Sequence, residues 1–382
     1  MKSLKIRLEL NNEQATLAAK HAGVARHAYN WGLDVCKKAY LNGVGGTPQK
    51  RPSSIDLHKK LVAEVKKENA WYYEVSKCSP QEALRNLDKA YIKCFREKKG
   101  LPVFKKKGIR DSFYLEGAIE IKGNQIKIPK FGKVKISEKA PQHPEGGVLK
   151  VKNVTISKTA GQWFVAFKIP QENNLPKQEK INPVGVDLGI KTLATLSEGT
   201  SFENKRPYKK LKRKLKIAQR KVSKKVKGSA NRKKAIQKVA KLHYKIANIR
   251  KDSLHKLTTY LAKNHSEVVI EDLNVRGMSK NHKLASAILD GGFYEFRRQL
   301  GYKSEWYGSH LTVVDRFYPS SKTCSCCGNV KKELKLIERI YDCESCKISI
   351  DRDFNAAINL RNKAVSYTAS ACGVPNQPKA AA

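Results

Sequence analysis

The sequence predicts a multidomain α/β protein, and three observations carry that expectation. Beyond Pro183, strand-like runs (VGVDLGIKTLATL, SEVVIED and HLTVVDRF) are interleaved with long stretches of helical spacing, the grammar of an α/β unit. Residues 102–170 instead hold short alternating stretches broken by Gly, Asn and Pro, which read as antiparallel sheet or a small barrel. Two C-x-x-C pairs near the C-terminus mark a small metal-held module. A length of 382 residues leaves room for two or three domains of ordinary size.

The elements follow in order. KSLKIRLEL (2–10) alternates basic and apolar residues, as a half-buried strand with a positive outer face does. From Asn12 to about Leu41 the apolar spacing is helical, with Leu17, Val24, Ala28, Trp31 and Leu33 roughly on one face. A Gly/Pro-rich loop, Gly43 to Pro52, precedes a helix over 54–68. Ser79-Pro80-Gln81-Glu82 then sets a hydroxyl at the N-cap, Pro at the first helical position and Glu three residues after the Ser. That helix should run to about Lys98. The stretches IEIKGNQIKI, LKVKNVTI and QWFVAFKI supply the sheet, and Pro170 to Pro183 is a polar linker. The final dozen residues have the composition of a disordered tail.

Charge narrows the function. Lys and Arg number 77 against 34 Asp and Glu, a formal charge of +43. Such an excess repels itself unless a polyanion supplies the missing charge. No run approaches the ~18 apolar residues of a spanning helix. Met1-Lys2-Ser3-Leu4-Lys5-Ile6-Arg7 lacks the apolar core of a signal peptide. The expected partner is a long nucleic acid and not a membrane. Nine cysteines, an odd number with most of them paired in C-x-x-C or scattered (Cys36, Cys78, Cys94, Cys372), point to a reducing cytoplasm and a metal site.

The charge peaks between Lys209 and Lys251, with 19 Lys or Arg and no Asp or Glu. Leu211, Leu215, Ala218 and Val222, then Ile236, Val239, Leu242 and Ile246, keep helical spacing, and Gly228-Ser229 interrupts them. The pattern predicts a helical hairpin with one buried stripe and a positive outer face. Without opposite charges for i,i+4 pairing, that face needs phosphates. Lys209, Lys210, Arg213, Arg220, Lys224, Lys225, Arg232, Lys233 and Lys234 are its candidate nucleic-acid contacts.

Cys324, Cys327, Cys343 and Cys346 form C-x-x-C, fifteen residues, C-x-x-C. A two-residue gap lets both thiolates of a pair face one ion, and two such knuckles complete a tetrahedral Zn²⁺ site. Four protein ligands close the site, so the zinc would be structural. Cys326 is a spare thiol.

Three acids stand out. Asp187 sits in an apolar strand, Glu271 ends another, and Asp351 and Asp353 lie before a helix beyond the second knuckle. A strand-centre carboxylate needs a partner. Carboxylates converging within about 4 Å repel by roughly 4 kcal/mol per pair at an effective dielectric near 20. Divalent cations reverse that sign, and oxygen ligands suit Mg²⁺ or Mn²⁺ and two-metal phosphodiester cleavage. Strand alternation allows only one of Glu271 and Asp272 to join. Either Asp351 or Asp353 fits the third place, and either could be a helix N-cap.

At these residues the chain resembles the TnpB family, RNA-guided DNA nucleases of bacterial and archaeal insertion sequences related to type V CRISPR effectors. The likeness runs through GVDLGIK, KVSKKVKGSANRKKA, LHYKIANIRKDSLHKL, EDLNVRGM, YPSSKTCSCCG and DRDFNAAINL. It implies a RuvC-like RNase H fold interrupted by a zinc ribbon, with an N-terminal β-barrel wedge domain into which a helical recognition domain is inserted. The implied division is 1–10 (first wedge strand), 11–101 (recognition), 102–180 (wedge), 181–323 (nuclease, with a basic hairpin at 205–263), 324–348 (ribbon), 349–370 (nuclease) and a tail at 371–382. The resemblance assigns catalysis and Mg²⁺ binding to Asp187, Glu271 and Asp353, selecting Asp353 over Asp351. It places Gln81 in the region that reads a short target-adjacent motif in duplex DNA. The implied partners are a guide RNA derived from the transposon end and double-stranded target DNA, in a prokaryotic cytoplasm at the nucleoid. A DDE-type transposase on the same fold and a non-catalytic nucleic-acid binder are the competing readings. Phe293, Tyr294, Trp306 and Tyr307 are candidates for stacking on unpaired bases, with core packing as the competing role.

Overall fold

The computed structural model describes residues 2–41, 51–139, 147–170, 182–335 and 337–371. The expected loop at 43–52 lies mostly outside them, as do Cys372 and the expected tail apart from residue 371. The chain divides into two compact units, Met1–Glu172 and Asn173–Ala382.

In the first unit the six strands β1 (Lys2–Glu9), β2 (Ser112–Lys122), β3 (Gln125–Ile128), β4 (Gly132–Ile136), β5 (Leu149–Thr159) and β6 (Gln162–Ile169) close into a barrel, order β1-β4-β3-β2-β5-β6. All its pairings are antiparallel. The barrel expected from 102–170 is therefore closed by the N-terminal strand, whose Leu4 pairs Phe167 and whose Leu8 pairs Ile136. Closure removes both free edges. Between β1 and β2 come α1 (Asn12–Leu41), α2 (Ser54–Lys60), a five-residue π turn (Leu61–Val65), α3 (Lys66–Glu68) and α4 (Cys78–Arg96). Ser53 caps α2 in a capping box with Asp56. The Ser79 cap is not made. The helix α4 begins two residues earlier, at Cys78 and not Pro80, and Ser79 donates its hydroxyl to the Tyr114 carbonyl at 3.4 Å, while Glu82 pairs with Lys89. A tertiary acceptor outcompetes the local cap. Barrel and helices share one core, from Ile6 and Leu115 to Leu33, Leu84 and Leu87.

In the second unit β7 (Val184–Asp187), β8 (Thr192–Leu196), β9 (Ser201–Glu203), β10 (Glu267–Glu271) and β11 (His310–Val314) form one sheet, order β11-β10-β7-β8-β9. β10 runs parallel to both β7 and β11, whereas β8 and β9 return antiparallel. One face packs on α6 (Ala230–Asn264), α8 (Ala285–Gly291) and α9 (Phe293–Tyr307), burying Val184, Val186, Val268 and Ile270 against Leu254, Leu257, Ile288 and Phe296. The other packs on α10 (Arg352–Ala371), burying Val269 and Val314 with Leu360 and Ala364. A short α7 (Val275–Met278) follows β10. Between β11 and α10 the chain forms the cysteine module, with β12 (Ile340–Asp342) pairing β13 (Ser349–Asp351).

The basic segment forms the expected hairpin, α5 (Pro207–Ser223) and α6, broken at Gly228-Ser229. Ser229 caps α6 through the Arg232 N–H at 3.1 Å. Its buried stripe is thinner than expected: Leu215, Ala235 and Ile246 are buried, but Ile236 is 48% exposed. The start of α5 carries no side-chain cap of its own; Asp290 from α8 accepts the Tyr208 and Lys209 N–H groups at 3.1 Å each and holds Arg250 at 3.2 Å. Among the described residues no helix is long and apolar enough to cross a membrane.

Candidate functional site

Strand alternation and one glycine bring the acids together. Along β7, Gly185 and Asp187 share a face; along β10, Val269 and Glu271 do. Val269 packs with α10, so this is the face that α10 covers. Ile270 pairs Val186, which leaves Glu271 and Asp187 as the next residues at the ends of adjacent parallel strands. Gly185 allows α10 to lie directly on the sheet. A Cβ there would stand 1.9 Å from the Ala357 carbonyl oxygen and 2.6 Å from the Arg361 nitrogen. Asp353 lies one turn before Ala357, in the first turn of α10.

The electrostatics agree with that placement. Asp187 is half-buried, and desolvation pushes its carboxyl up to about 7, helped by the negative charges of Asp353 and Glu271. Burial also raises Glu271, with Asp272 beside it adding to the effect. Two neighbouring pairs are sorted by their partners. Asp272, on the opposite strand face, is gripped by Arg297 of α9 and by Arg316, whose hydrogen bonds hold its carboxyl below the usual range. Asp351 accepts the N–H groups of Asp353 and Phe354 at 3.0 Å each, the role of a helix cap. Glu271 and Asp353 are left to face Asp187. Half-buried carboxylates in each other's field, with oxygen donors alone, fit a hard divalent cation such as Mg²⁺ or Mn²⁺.

The four cysteines are more tightly gathered. Among the described residues, a group of metal-ligating side chains with all ligand atoms within 4.8 Å of one another occurs at Cys324, Cys327, Cys343 and Cys346, and not at the three carboxylates. The sulfurs of Cys324 and Cys346 lie 3.6 Å apart, as do those of Cys327 and Cys343. Thiolates around one Zn²⁺ at about 2.3 Å stand about 3.8 Å from each other, so the set fits a structural zinc. Each knuckle turns the same way: Gly328 donates to the Cys324 carbonyl and Lys347 to that of Cys343, both at 3.0 Å. Both turn residues have positive φ, 77° at Gly328 and 60° at Lys347.

Sequence reasoning missed what ties this module to the acids. Asn355 and Asn359, 0% and 3% exposed, are buried on α10. Asn355 accepts from the Ser325 N–H at 2.9 Å and donates to the Thr323 carbonyl at 2.7 Å. Asn359 donates to the carbonyls of Ser320 and Thr323 at 2.8 and 2.6 Å. Their presence in DRDFNAAINL was the available signal.

The hairpin residues sort unequally. Lys209, Lys210, Arg213, Arg220, Lys224, Lys225, Lys233 and Lys234 are exposed. Arg232 instead donates to the carbonyls of Val222 and Lys225 at 3.1 and 2.8 Å, closing the hairpin turn. A groove of about 680 Å³ runs between the helices. Its cationic lining is Lys214 and Lys221 from α5 and Lys225 from the turn, with Lys234, Lys238, Lys241 and Lys245 from α6 across the way. Only Lys225 and Lys234 belong to the expected set. Gln81 is half-buried in the first turn of α4. Of the four candidate stacking residues, Phe293 is core, Trp306 packs edge-on to Tyr302, Tyr307 lies under Lys263, and Tyr294 is 71% exposed.

A closed antiparallel barrel followed in the chain by a mixed sheet is a fold with a solved neighbour among the Cas12 effectors. A Cas12f1–guide RNA–target DNA complex contains a chain similar in fold, with a TM-score of 0.58 at 15% identity over 92% of this chain and 83% of that one. Residues 164–282 match the OrfB/IS605 family, described as "Probable transposase", and 293–360 a Cas12f1-like TNB domain. Residues 1–43 match a helix-turn-helix domain, although the described residues among them, 2–41, form a strand and one 30-residue helix. A Streptomyces pristinaespiralis protein named as an RNA-guided DNA endonuclease is 37% identical over 99% of this chain and 92% of its own. InsQ of Escherichia coli K12, named likewise, is 34% identical over 98% of this chain and 94% of its own. The chain belongs to the TnpB family.

Proposed function

We propose that this protein is an RNA-guided DNA endonuclease of an insertion sequence, cutting target DNA beside a short adjacent motif by Mg²⁺-dependent hydrolysis at one RuvC-type site. What supports the reading is that Asp187 and Glu271 end adjacent parallel strands, Asp353 lies in the first turn of the helix on that face, and Asp187 feels the charge of both. Numbered within the unit, the strand order is 5-4-1-2-3, the arrangement of an RNase H-like fold, and the ribbon enters it between the last strand and α10.

Asp187, Glu271 and Asp353 would hold Mg²⁺ or Mn²⁺, which when bound supplies an activated water and neutralises charge on the leaving oxygen. Asp187 must surrender its proton to serve, which its raised pKa delays until about pH 7. Cys324, Cys327, Cys343 and Cys346 would hold a structural Zn²⁺. The lysine groove between α5 and α6 supplies cations to an RNA or heteroduplex backbone, whose base pairing carries target choice. Gln81 and its helix contribute to reading the adjacent motif. The partners are a guide RNA from the transposon end and duplex DNA, met in the cytoplasm at the nucleoid. The finer division of the first unit into wedge (1–10, 102–180) and recognition (11–101) parts belongs to this reading.

Sequencing RNA that copurifies with the protein tests it, followed by incubation with plasmid matched to that RNA. A defined species with a constant scaffold and variable 3′ end, directing Mg²⁺-dependent cuts, is the expected result. Random cellular RNA, or strand transfer of transposon ends without RNA, would overturn it.

A further inference from the structure

We propose that Asn355 and Asn359 are positioning residues that couple the four-cysteine module to the carboxylate site through α10. This rests on reading Asp187, Glu271 and Asp353 as one cation-holding site. Two faces of a single helix do different tasks. Asp353, Ala357, Leu360 and Ala364 recur at i, i+4, i+7 and i+11, the stripe that faces the sheet. Ala357 lies against Gly185, and Leu360 and Ala364 are buried with Val269 and Val314. Asn355 and Asn359, one turn apart, face the module instead.

The asparagines grip the loop that leads into the first knuckle. Asn355 brackets Cys324, bonding the residue before it and the residue after it through opposite ends of one amide. Asn359 reaches Thr323 again and Ser320. Cys324 is in turn fixed by its own N–H, which donates to the Asn329 carbonyl at 2.8 Å. From the thiolate ligand Cys324 to Asp353 the path is thus one residue of chain, one buried amide and two residues of helix. A plain core position could be filled by an apolar side chain. A buried amide whose donor and acceptor are both spent on the same loop fixes that loop in register and direction. Gly185 lets the helix touch the sheet, but a smooth Gly–Ala contact does little to stop α10 sliding along its axis. The asparagine clamp supplies that stop, so the module sets how far Asp353 reaches toward Asp187 and Glu271.

The test uses the protein with its copurified RNA and matched DNA. Asn355→Ala removes the clamp; Asn355→Asp keeps the acceptor for Ser325 and loses the donor to Thr323; Asn359→Ala serves if the first does not fold. Zinc content, Mn²⁺ binding without DNA by electron paramagnetic resonance, and the Mn²⁺ concentration for half-maximal cleavage are measured. We expect zinc to be retained and the half-saturating Mn²⁺ to rise about 10-fold or more, the range found when outer supports of metal ligands are lost. The rate at saturating Mn²⁺ should fall far less, and Asn355→Asp, which sets a buried carboxylate oxygen against the Thr323 carbonyl, should shift the Mn²⁺ dependence at least as far as Asn355→Ala. Cys346→Ser should give the same shift, and the double variant no more than either alone. An unchanged Mn²⁺ dependence with lowered stability, or shifts that multiply in the double variant, would overturn the coupling. Asp187→Ala separates the two levels: if it cuts and binds Mn²⁺ as the wild type does, the site reading fails; if it is inactive while Asn355→Ala is normal, only the coupling fails.

Discussion

The two groups of candidate metal ligands in the second unit are built in opposite ways. The cysteines come from two short turns, their sulfurs 3.6 Å apart in pairs before any ion is considered. The carboxylates come from β7, β10 and α10, positions 187, 271 and 353, and the charges of Asp353 and Glu271 add to burial in raising the cost of charging Asp187. Local backbone geometry gathers the cysteines, whereas tertiary packing on Gly185 seats the helix that carries Asp353. The soft site should therefore behave as part of the fold. The hard site should behave as a frustrated cluster that a cation relaxes.

Removing zinc should have the largest effect. Among the described residues, the apolar cluster at the cysteines adds one further buried side chain, Tyr341, with Leu334, Ile348 and Ile350 partly buried, too little to order the module alone. Zinc binding in comparable small modules is worth about 10–16 kcal/mol. A strong chelator, or Cys343→Ser, should therefore unfold residues 324–348 while the sheet stays folded; hydrogen exchange confined to that segment checks it.

The next effect concerns pH and separates the sites further. In the metal-free protein Asp187 titrates near 7, against 3.8 for an ordinary aspartate, so between those values the folded state holds the extra proton. Stability then falls as pH rises through that window, and the loss is complete above 7. At about 1.4 kcal/mol per pH unit the upper bound is about 4 kcal/mol. Asp187→Asn should make the metal-free protein more stable than wild type at pH 8, by up to that amount, and leave it unchanged below pH 3.8. Thermal melts across pH check this, and added Mg²⁺ should erase the difference by stabilising only the wild type.

Smaller still, replacing Lys234, Lys238, Lys241 and Lys245 by Ala should lower the slope of log affinity for guide RNA against log salt by about 3, from some 0.7–0.9 per lost phosphate contact. Titration at several salt concentrations measures it. Arg232→Ala should instead loosen the hairpin turn without a matching change in slope.

Much of this was legible in the sequence because it is local. The span of α1, the hairpin break at Gly228-Ser229 and the C-x-x-C pairs each announce themselves within a few residues. Alternation alone foretold that Glu271 and Asp272 part company, and Arg297 and Arg316 hold the latter. What stayed hidden depends on partners distant in the chain. Ser79 reads as a cap until Tyr114 offers a carbonyl, and Arg232 reads as a free cation until the end of α5 claims it. Asn355, Asn359 and Gly185 look ordinary in sequence, yet they seat the helix that carries Asp353. Resemblance chose Asp353 over Asp351; the structure adds a physical reason, since Asp351 caps the helix.

That last distinction gives the most direct test. Single-turnover cleavage of guide-matched DNA should be compared for Asp187→Ala, Glu271→Ala, Asp353→Ala and Asp351→Ala under saturating Mg²⁺. The first three should abolish cutting while RNA and target binding persist. Asp351→Ala should still cut, losing only the roughly 1 kcal/mol of stability that a helix cap provides. Wild-type cleavage by any of the first three, or an Asp351→Ala protein as inactive as they are, would contradict the account.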